Sequence, residues 1–377
     1  MKDDKINVCI LANIASPFGG GNFIASLFDL EEKLKINNDS KMIYVFYSDT
    51  SCCNWAKKMI QDNKIVYFLT NKKIKKILQL RRILQDNDIN VLHLHYTFPI
   101  FLLIGLRFFF IKNLLIIAHN HMHVSHSHEN SAIKNFKKNI KVILYNNTID
   151  IVCAVSEAVY YDLLNWGIYN EKCRYIDNGI VFSRLDIKCE NGKELYNIPD
   201  KKVLMIYGTA FYRKGVDISI HAIKEIVDQY NILLMIVCEN EKFVSGEIKK
   251  IFNHIPDWIL IVPPLDNIVF YFKMSDIYLT PSREEAFSYA MLEAIYCGTP
   301  VIRSDYPGMN RKLPHDLVVP VNDILALRQN IISLLNQSEL DKQNILAEQK
   351  KYIIQRWNID VWSNNIMNMY FEHSYKQ

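Results

Sequence analysis

Short, almost wholly apolar runs recur along this chain. Each is followed by a longer stretch with apolar residues at helical spacing, and this alternation restricts the fold more than any other feature. The runs are INVCILAN (6–13), KMIYVFY (41–47), INVLHLHY (89–96), NLLIIAHN (113–120) and IDIVCAVS (149–156). Between the first two, Phe23, Ile24, Leu27, Phe28 and Leu34 share one helical face. A run without polar residues at alternate positions is buried on both sides, as in a parallel sheet covered by helices. A polar, turn-rich passage around Asn178-Gly179 (173–185) interrupts the rhythm, which then restarts with KVLMIYGTA (202–210), NILLMIVCE (231–239), WILIVPP (258–264), DIYLTPS (276–282) and TPVIRSD (299–305). The expected architecture is α/β, with two Rossmann-like, doubly wound domains: residues 1–180, residues 181–355, and a helix at 356–377 that packs back on the first domain. Ligands of such sheets bind at the carboxyl ends of the strands, and two sets of ends are expected to face one cleft.

Composition narrows the function. Of 377 residues, 50% are hydrophobic and 22% charged, and the net charge is only +4. That balance is ordinary for a globular protein and argues against nucleic acid as a partner. The eight cysteines form no C-x-x-C pair, so reduced thiols and a cytoplasmic location are expected. The apolar run at the start is too short and mixed for a signal peptide. The segment PIFLLIGLRFFFI (99–111) is very apolar, but Arg107 interrupts it. It falls short of the ~20 residues needed to span a bilayer. A buried helix between two strands is the expectation, with a shallow dip into a membrane as the alternative. Basic stretches in the N-terminal half (Lys72, Lys73, Lys75, Lys76, Arg81 and Arg82, then Lys134, Lys137, Lys138 and Lys141) read either as solvated helix faces or as a peripheral contact with anionic lipid on the inner face of the cell membrane.

The segment SREEAFSYAMLEAIYCGTPVI (282–302) carries the chemistry. It places Glu285 in the loop after a strand and Glu293 in the early turns of the next helix. Ser288 is a good N-cap, and Gly298 with Pro300 a good stop. Amides at a helix start attract an anion. A phosphate there would have a carboxylate on each side. Carboxylates accept hydrogen bonds from hydroxyls, so the spacing points to a ligand with sugars on both sides of a phosphate. Seven of the eleven histidines lie between His93 and His128. Alternation along a strand would put His119, His121 and His123 on one face, which invites a metal reading. No carboxylate or histidine cluster downstream completes a hydrolase site. The other reading is a polar loop at the cleft mouth.

Five motifs in order, spanning most of the chain, resemble the retaining glycosyltransferases of family 4 (the group 1 enzymes with the GT-B fold). They are FGGGNFIASL (18–27), AVSEAVYYDL (154–163), IDNGI (176–180), GTAFYRKGVDISIHAI (208–223) and the E-x7-E segment with CGTPVI. The resemblance implies that Glu293 bonds the ribose of a nucleotide and that Glu285 bonds the donor sugar. Phe287 and Ser288 would present backbone amides, and Lys214 would neutralise the diphosphate beside Gly208. In the family an arginine often follows this glycine. Here Thr209 does, and the nearest arginine, next to Lys214, is Arg213, which would supply the second positive charge from another angle. Gly19, Gly20 and Gly21 would let the backbone approach donor and acceptor, and His119 would be the family's histidine near the donor sugar. The implied reaction moves a hexosyl unit from a nucleotide-diphosphate sugar, UDP-sugar favoured, to a glycan or lipid-linked oligosaccharide in surface polysaccharide synthesis. It proceeds with retention and uses no metal or cofactor. The alternatives are a metal-dependent hydrolase centred on His93–His128 and a GT-B shell that binds a nucleotide or glycan without turnover.

Overall fold

The computed structural model describes residues 5–14, 21–38, 40–96, 100–109, 113–123, 132–189, 192–306, 308 and 312–374. It divides into two compact units, one of residues 1–180 with 357–377 and one of residues 181–356.

In the first unit the order is β1 (Val8–Ala12), α1 (Gly21–Asn38), β2 (Met42–Phe46), α2 (Asn54–Gln61), β3 (Val66–Phe68), α3 (Lys73–Asp86), β4 (Val91–His95), α4 (Ile100–Phe109), β5 (Leu115–Asn120), α5 (Ala132–Thr148), β6 (Ile151–Ala154), α6 (Glu157–Trp166) and β7 (Cys173–Tyr175). All seven strands are parallel, in the order β3-β2-β1-β4-β5-β6-β7. The order reverses between β1 and β4. Right-handed crossovers running in opposite directions therefore put α1 and α2 on one face and the helices from α3 onward on the other. On that second face α4 lies between α3 and α5 and touches both. Strands β1, β2 and β4 are buried at every position, the state expected of continuous apolar runs covered on both sides.

The second unit runs α7 (Gly192–Leu195), β8 (Lys202–Tyr207), α8 (Val216–Ile223), α9 (Val227–Tyr230), β9 (Ile232–Val237), α10 (Glu241–Phe252), β10 (Ile259–Val262), α11 (Val269–Met274), β11 (Ile277–Thr280), α12 (Tyr289–Tyr296), β12 (Val301–Ser304), β13 (Leu317–Val319), α13 (Ile324–Asn336) and α14 (Glu339–Arg356). Its six parallel strands take the order β10-β9-β8-β11-β12-β13. The chain is thus two doubly wound parallel-sheet domains, as the alternation predicts. The last helix, α15 (Ile359–Ser374), belongs to the first unit. Its Trp362, Ile366 and Tyr370 join Phe23, Leu27 and Leu34 of α1 in one buried cluster with Ile10 and Tyr44.

Three features differ from the sequence reading. The short edge strands β3, β7 and β13 have no counterpart among the apolar runs, and β7 lies inside the stretch read as turns. Three residues are too few to establish a period. Lys76 does not belong to the solvated basic face of α3. It is buried, donates to the Tyr47 carbonyl at 2.8 Å and sits 3.5 Å from the Tyr47 ring centroid. Arg107 turns back toward the sheet, where it makes a bidentate pair with Asp150 (2.6 and 2.7 Å) and donates to the Leu114 carbonyl. Among the described residues no helix is long and apolar enough to cross a membrane.

Candidate active site

Two loops at the carboxyl ends of adjacent strands build a charged cluster in the second unit. After β8, Gly208 donates its N–H to Val237 at 2.8 Å, and the chain then folds over itself through Lys214 N–H to Ala210 and Val216 N–H to Phe211. Gly215 closes this turn with φ +72°, and a Cβ there would overlap the Pro281 carbonyl oxygen of the loop after β11. Only glycine satisfies both the left-handed conformation and that close approach. The two loops are also tied by Arg283, whose N–H donates to the Arg213 carbonyl at 2.8 Å and whose guanidinium grips Asp217 at 2.9 and 2.7 Å.

This contact brings Lys214 onto Glu285. The Lys214 ammonium pairs with Glu285 Oε1, which also accepts from the Ser282 hydroxyl at 2.9 Å. Arg213 Nη1 lies 3.5 Å from Glu285 Oε2 and donates to the Glu284 carbonyl at 3.1 Å. Glu285 is 5% exposed, whereas the Arg213 side chain is 47% exposed, so Lys214 is the inner cation and Arg213 the outer. Ser288 is the residue before α12, and the helix ends at Gly298 with φ +87°. The Phe287 ring packs edge-on against Tyr289 at 4.9 Å. Glu293, 6% exposed, lies one turn into α12 and pairs with Arg184. Arg184 comes from a one-turn helix at Phe182–Leu185, held on α12 by a Phe182–Tyr296 ring stack and a hydrogen bond from Tyr296 to Asp186. Burial, reinforced by the Glu293 charge, raises the phenol pKa of Tyr207 behind this site.

Among the described residues, the carboxyl ends of β4 and β5 in the first unit present imidazoles instead. The register pairs His95 with His119, so both imidazoles and that of His93 project from one face. His93, His95, His119 and His121 form a stack with centroid separations of 4.3 to 5.4 Å. Phe23 of α1 closes it edge-on against His95 and His121. Tyr370 of α15 lies 2.6 Å from His93 Nδ1, and His93 Nε2 lies 3.3 Å from His119 Nδ1. His95 Nδ1 meets His121 Nε2 at 2.9 Å. The Nε2 atoms of His95 and His119 are buried without a hydrogen-bond partner among the described residues. Burial drives all four imidazoles toward the neutral form and takes His119 down to about 3. His123 leaves this face, contrary to the alternation expected of it. The strand ends at Asn120, and His123 pairs with Asp162 of α6.

Two family models cover most of the chain between them. The Glycosyltransferase Family 4 model matches residues 58–184, and the Glycosyl transferases group 1 model matches residues 190–351. The chain is a group 1, family 4 glycosyltransferase. An uncharacterized glycosyltransferase of Methanocaldococcus jannaschii is 27% identical over 314 residues, which cover 81% of this chain and 79% of the relative. The N-acetyl-alpha-D-glucosaminyl L-malate synthase of Bacillus anthracis is 27% identical over 51% of this chain and 52% of its own length. Among solved structures, a glycosyltransferase from Rickettsia africae superposes with a TM-score of 0.79 at 17% identity (98% of this chain, 99% of that one). Anabaena HepE in complex with UDP-glucose gives 0.77 at 16% (97% and 99%). These likenesses identify the fold as GT-B.

In this glycosyltransferase Gly208, Arg213, Lys214, Glu285, Phe287, Ser288 and Glu293 are brought together at the carboxyl ends of the neighbouring strands β8 and β11. His119 is in the other unit. Gly21 is the first residue of α1, while Gly19, Gly20, His126 and His128 lie outside the described residues. Sequence reasoning missed four participants. Arg184 occupies the Glu293 carboxylate. A Cβ at Gly308 would overlap the backbone carbonyl of Glu285, so that loop is held in place from behind. Phe23 and Tyr370 hold the histidine stack. Of these, only Gly308 had a sequence signal, the Pro-Gly turn at 307–308.

Proposed function

We propose that this glycosyltransferase moves a hexosyl unit from a UDP-sugar to a hydroxyl of a glycan or lipid-linked glycan, with retention and without a metal ion. The observation that carries the reading is the convergence of Lys214 and Arg213 on the buried Glu285, beside the start of α12. A diphosphate brings negative charge to the same two cations. Binding would exchange the Glu285 partners for phosphate oxygens and release the carboxylate to accept from sugar hydroxyls. Glu293 would exchange Arg184 for ribose hydroxyls in the same way. Amides at a helix start and basic side chains stabilise a leaving phosphate. The UDP-glucose bound by the HepE structure supports UDP as the nucleotide.

In the reaction the bond between the anomeric carbon and the phosphate oxygen breaks. The acceptor oxygen bonds that carbon on the same side, and its proton passes to the departing phosphate, giving UDP and a retained glycoside. The protein's task is to position these groups and stabilise charge. His119 is the residue we assign to a hydroxyl of the transferred sugar. Surface polysaccharide is the product class that fits a glycan or lipid-linked acceptor.

Thermal-shift measurement against UDP-, GDP-, ADP- and CMP-sugars tests the donor, because a ligand well above its Kd stabilises the chain it binds. UDP-sugars should give the largest shift, and a shift confined to another nucleotide would overturn the donor assignment. The anomeric configuration of the product, read by NMR, tests retention.

A further inference from the structure

The loop that carries Glu285 is backed by the segment that follows β12. Ser304 donates its hydroxyl to the Ser282 carbonyl at one end of the loop, and Gly308 lies against the Glu285 carbonyl. Between them Tyr306, 1% exposed, reaches the first turn of α12, where its hydroxyl meets Met291 Sδ at 3.7 Å. Arg303 supports Tyr306 in turn. Its guanidinium lies 5.7 Å from the tyrosine ring centroid and is held by Asp316 at 3.0 and 2.7 Å.

Ser288 stands at the other end of the same loop. It occupies the N-cap position of α12 but does not cap. A capping serine accepts from an amide two or three residues on. The Ser288 hydroxyl instead makes no hydrogen bond among the described residues, although Ser288 is only 4% exposed. Buried polar groups are nearly always bonded, so an open one beside a charged cluster calls for an explanation. The Tyr306 phenol is its neighbour. Burial, then the Glu285 charge, raises the phenol pKa, and Arg303 and the Ser288 hydroxyl oppose that rise. The phenol therefore keeps its proton at neutral pH and can donate to Ser288 Oγ.

We propose that Ser288 donates its hydroxyl to a phosphate oxygen of the departing nucleoside diphosphate, and that Tyr306 is the positioning residue that turns this hydroxyl outward. The assignment rests on the diphosphate lying beside Lys214 and the start of α12, as in the proposed function. When Tyr306 donates to Oγ, the serine has one proton left to give and acts as a donor. A donor next to Lys214 suits an anion, whereas sugar hydroxyls have the Glu285 carboxylate as their acceptor. Hydrogen bonds to an ionised oxygen are the stronger kind, and this one strengthens as charge builds on the leaving oxygen. Hydrogen bonds in a chain also polarise one another. No proton is transferred and no covalent bond to the protein forms.

The test compares UDP with uridine, which lacks only the diphosphate, by calorimetry on the full chain, alongside kcat. Ser288→Ala should weaken UDP about tenfold, the scale of a hydrogen bond to a charged group, and leave uridine unchanged. Its kcat should fall about ten- to a hundredfold, less than for a sole oxyanion donor because Lys214 and the α12 amides remain. Ser288→Gly, a residue also accepted at an N-cap, should behave alike and guards against a loss of fold in the alanine variant. Tyr306→Phe removes one oxygen from the core and should lower kcat several-fold. In the Ser288→Ala background the same change should cost nothing, because the two groups act in series. A merely structural phenol would cost the same in both backgrounds. Lys214→Ala, measured in parallel, separates the two ways of failing. If it weakens UDP and Ser288→Ala does not, the Ser288 contact falls alone. If neither weakens UDP, the diphosphate does not lie at this cluster and the contact falls with it. Equal losses for UDP and uridine, or additive losses in the double variant, would also overturn the proposal.

Discussion

The carboxyl ends of the two sheets differ in their physics. In the second unit the polar groups are ions held in pairs, Lys214 and Arg213 with Glu285 and Arg184 with Glu293. In the first they are imidazoles that burial keeps neutral, stacked and linked to Tyr370. Paired ions are suited to a charged ligand that exchanges partners with them. Neutral imidazoles repel no anion and offer directional hydrogen bonds instead. Under the proposed function, the nucleotide diphosphate is recognised at the end with paired ions and the sugar is oriented at the other.

The most severe way to break that comparison is to remove the inner cation. Lys214→Ala should lower kcat/KM by about 10²–10³, the usual loss when a charge-stabilising group at a leaving oxyanion is removed. It also strands the buried Glu285, so Lys214→Ala/Glu285→Gln should recover melting temperature without recovering activity. Turnover within about threefold of the wild type, far short of that loss, would mean that the diphosphate is not held at Lys214.

The histidine end should respond in rate and not in nucleotide affinity. His119→Ala should reduce kcat about a hundredfold, the scale for misplacing a reacting carbon, while the Kd of UDP stays unchanged. His121→Ala should be milder. Tyr370→Phe sharpens the point. A phenol that donates to His93 Nδ1 leaves His93 Nε2–H to donate to His119 Nδ1, and so leaves His119 Nε2–H as a donor. Without the hydroxyl that polarity is no longer set, and kcat should fall several-fold with UDP binding intact. If His121→Ala is the inactive variant and His119→Ala turns over, His121 is the residue that orients the sugar.

Glu293→Ala should act on binding. A buried hydrogen bond to a charged acceptor is worth about 1.5–3 kcal/mol, or roughly ten- to a hundredfold in the Kd of UDP by calorimetry. An unchanged Kd in a folded variant would remove the ribose role.

How far the sequence could be read follows the same division. The second unit was legible because its chemistry lies in one continuous segment. A loop carboxylate, an N-cap, a second carboxylate and a glycine stop follow one another between strands β11 and β12. Arg184 was not legible. It lies in a turn-rich passage far from Glu293 in sequence, and nothing local marks which carboxylate a lone arginine meets. In the first unit the alternating apolar runs gave the sheet, but the histidine stack depends on the β4–β5 register, on Phe23 and on a C-terminal tyrosine. Strand alternation would have carried His123 into the stack, and only the end of β5 at Asn120 turns it away.

Acid should separate the two ends by stability. A histidine with an ordinary unfolded pKa of about 6.5 and a folded value depressed by burial binds its proton only after unfolding. Stability therefore rises with pH through this window and is lost as pH falls from about 6.5 toward the folded value, about 3 for His119. Each such histidine costs at most about 1.4 kcal/mol per pH unit. The unfolding transition of the first unit should fall by several degrees between pH 7 and pH 5, and His95→Asn should flatten that slope. A slope that His95→Asn leaves unchanged would mean that His95 takes up its proton as readily in the folded chain as in the unfolded one.

The smallest expected effect is that of removing metal. His93, His95 and His119 offer nitrogens within 4.8 Å of one another, a trio that could hold an ion. Yet His93 already spends Nδ1 on Tyr370 and Nε2 on His119, so only the Nε2 atoms of His95 and His119 are uncommitted, and that of His119 carries the proton in the tautomer that Tyr370 sets. A hydrolytic zinc site takes three protein ligands and an open position for water, whereas this trio supplies two uncommitted nitrogens and no carboxylate. Exhaustive chelation should leave turnover unchanged, and elemental analysis of the purified chain should find no stoichiometric zinc or iron. A chelated enzyme that loses activity and regains it with one divalent ion would show that the imidazoles trade their mutual hydrogen bonds for a metal. The two sheet ends would then share a single strategy, charge against charge.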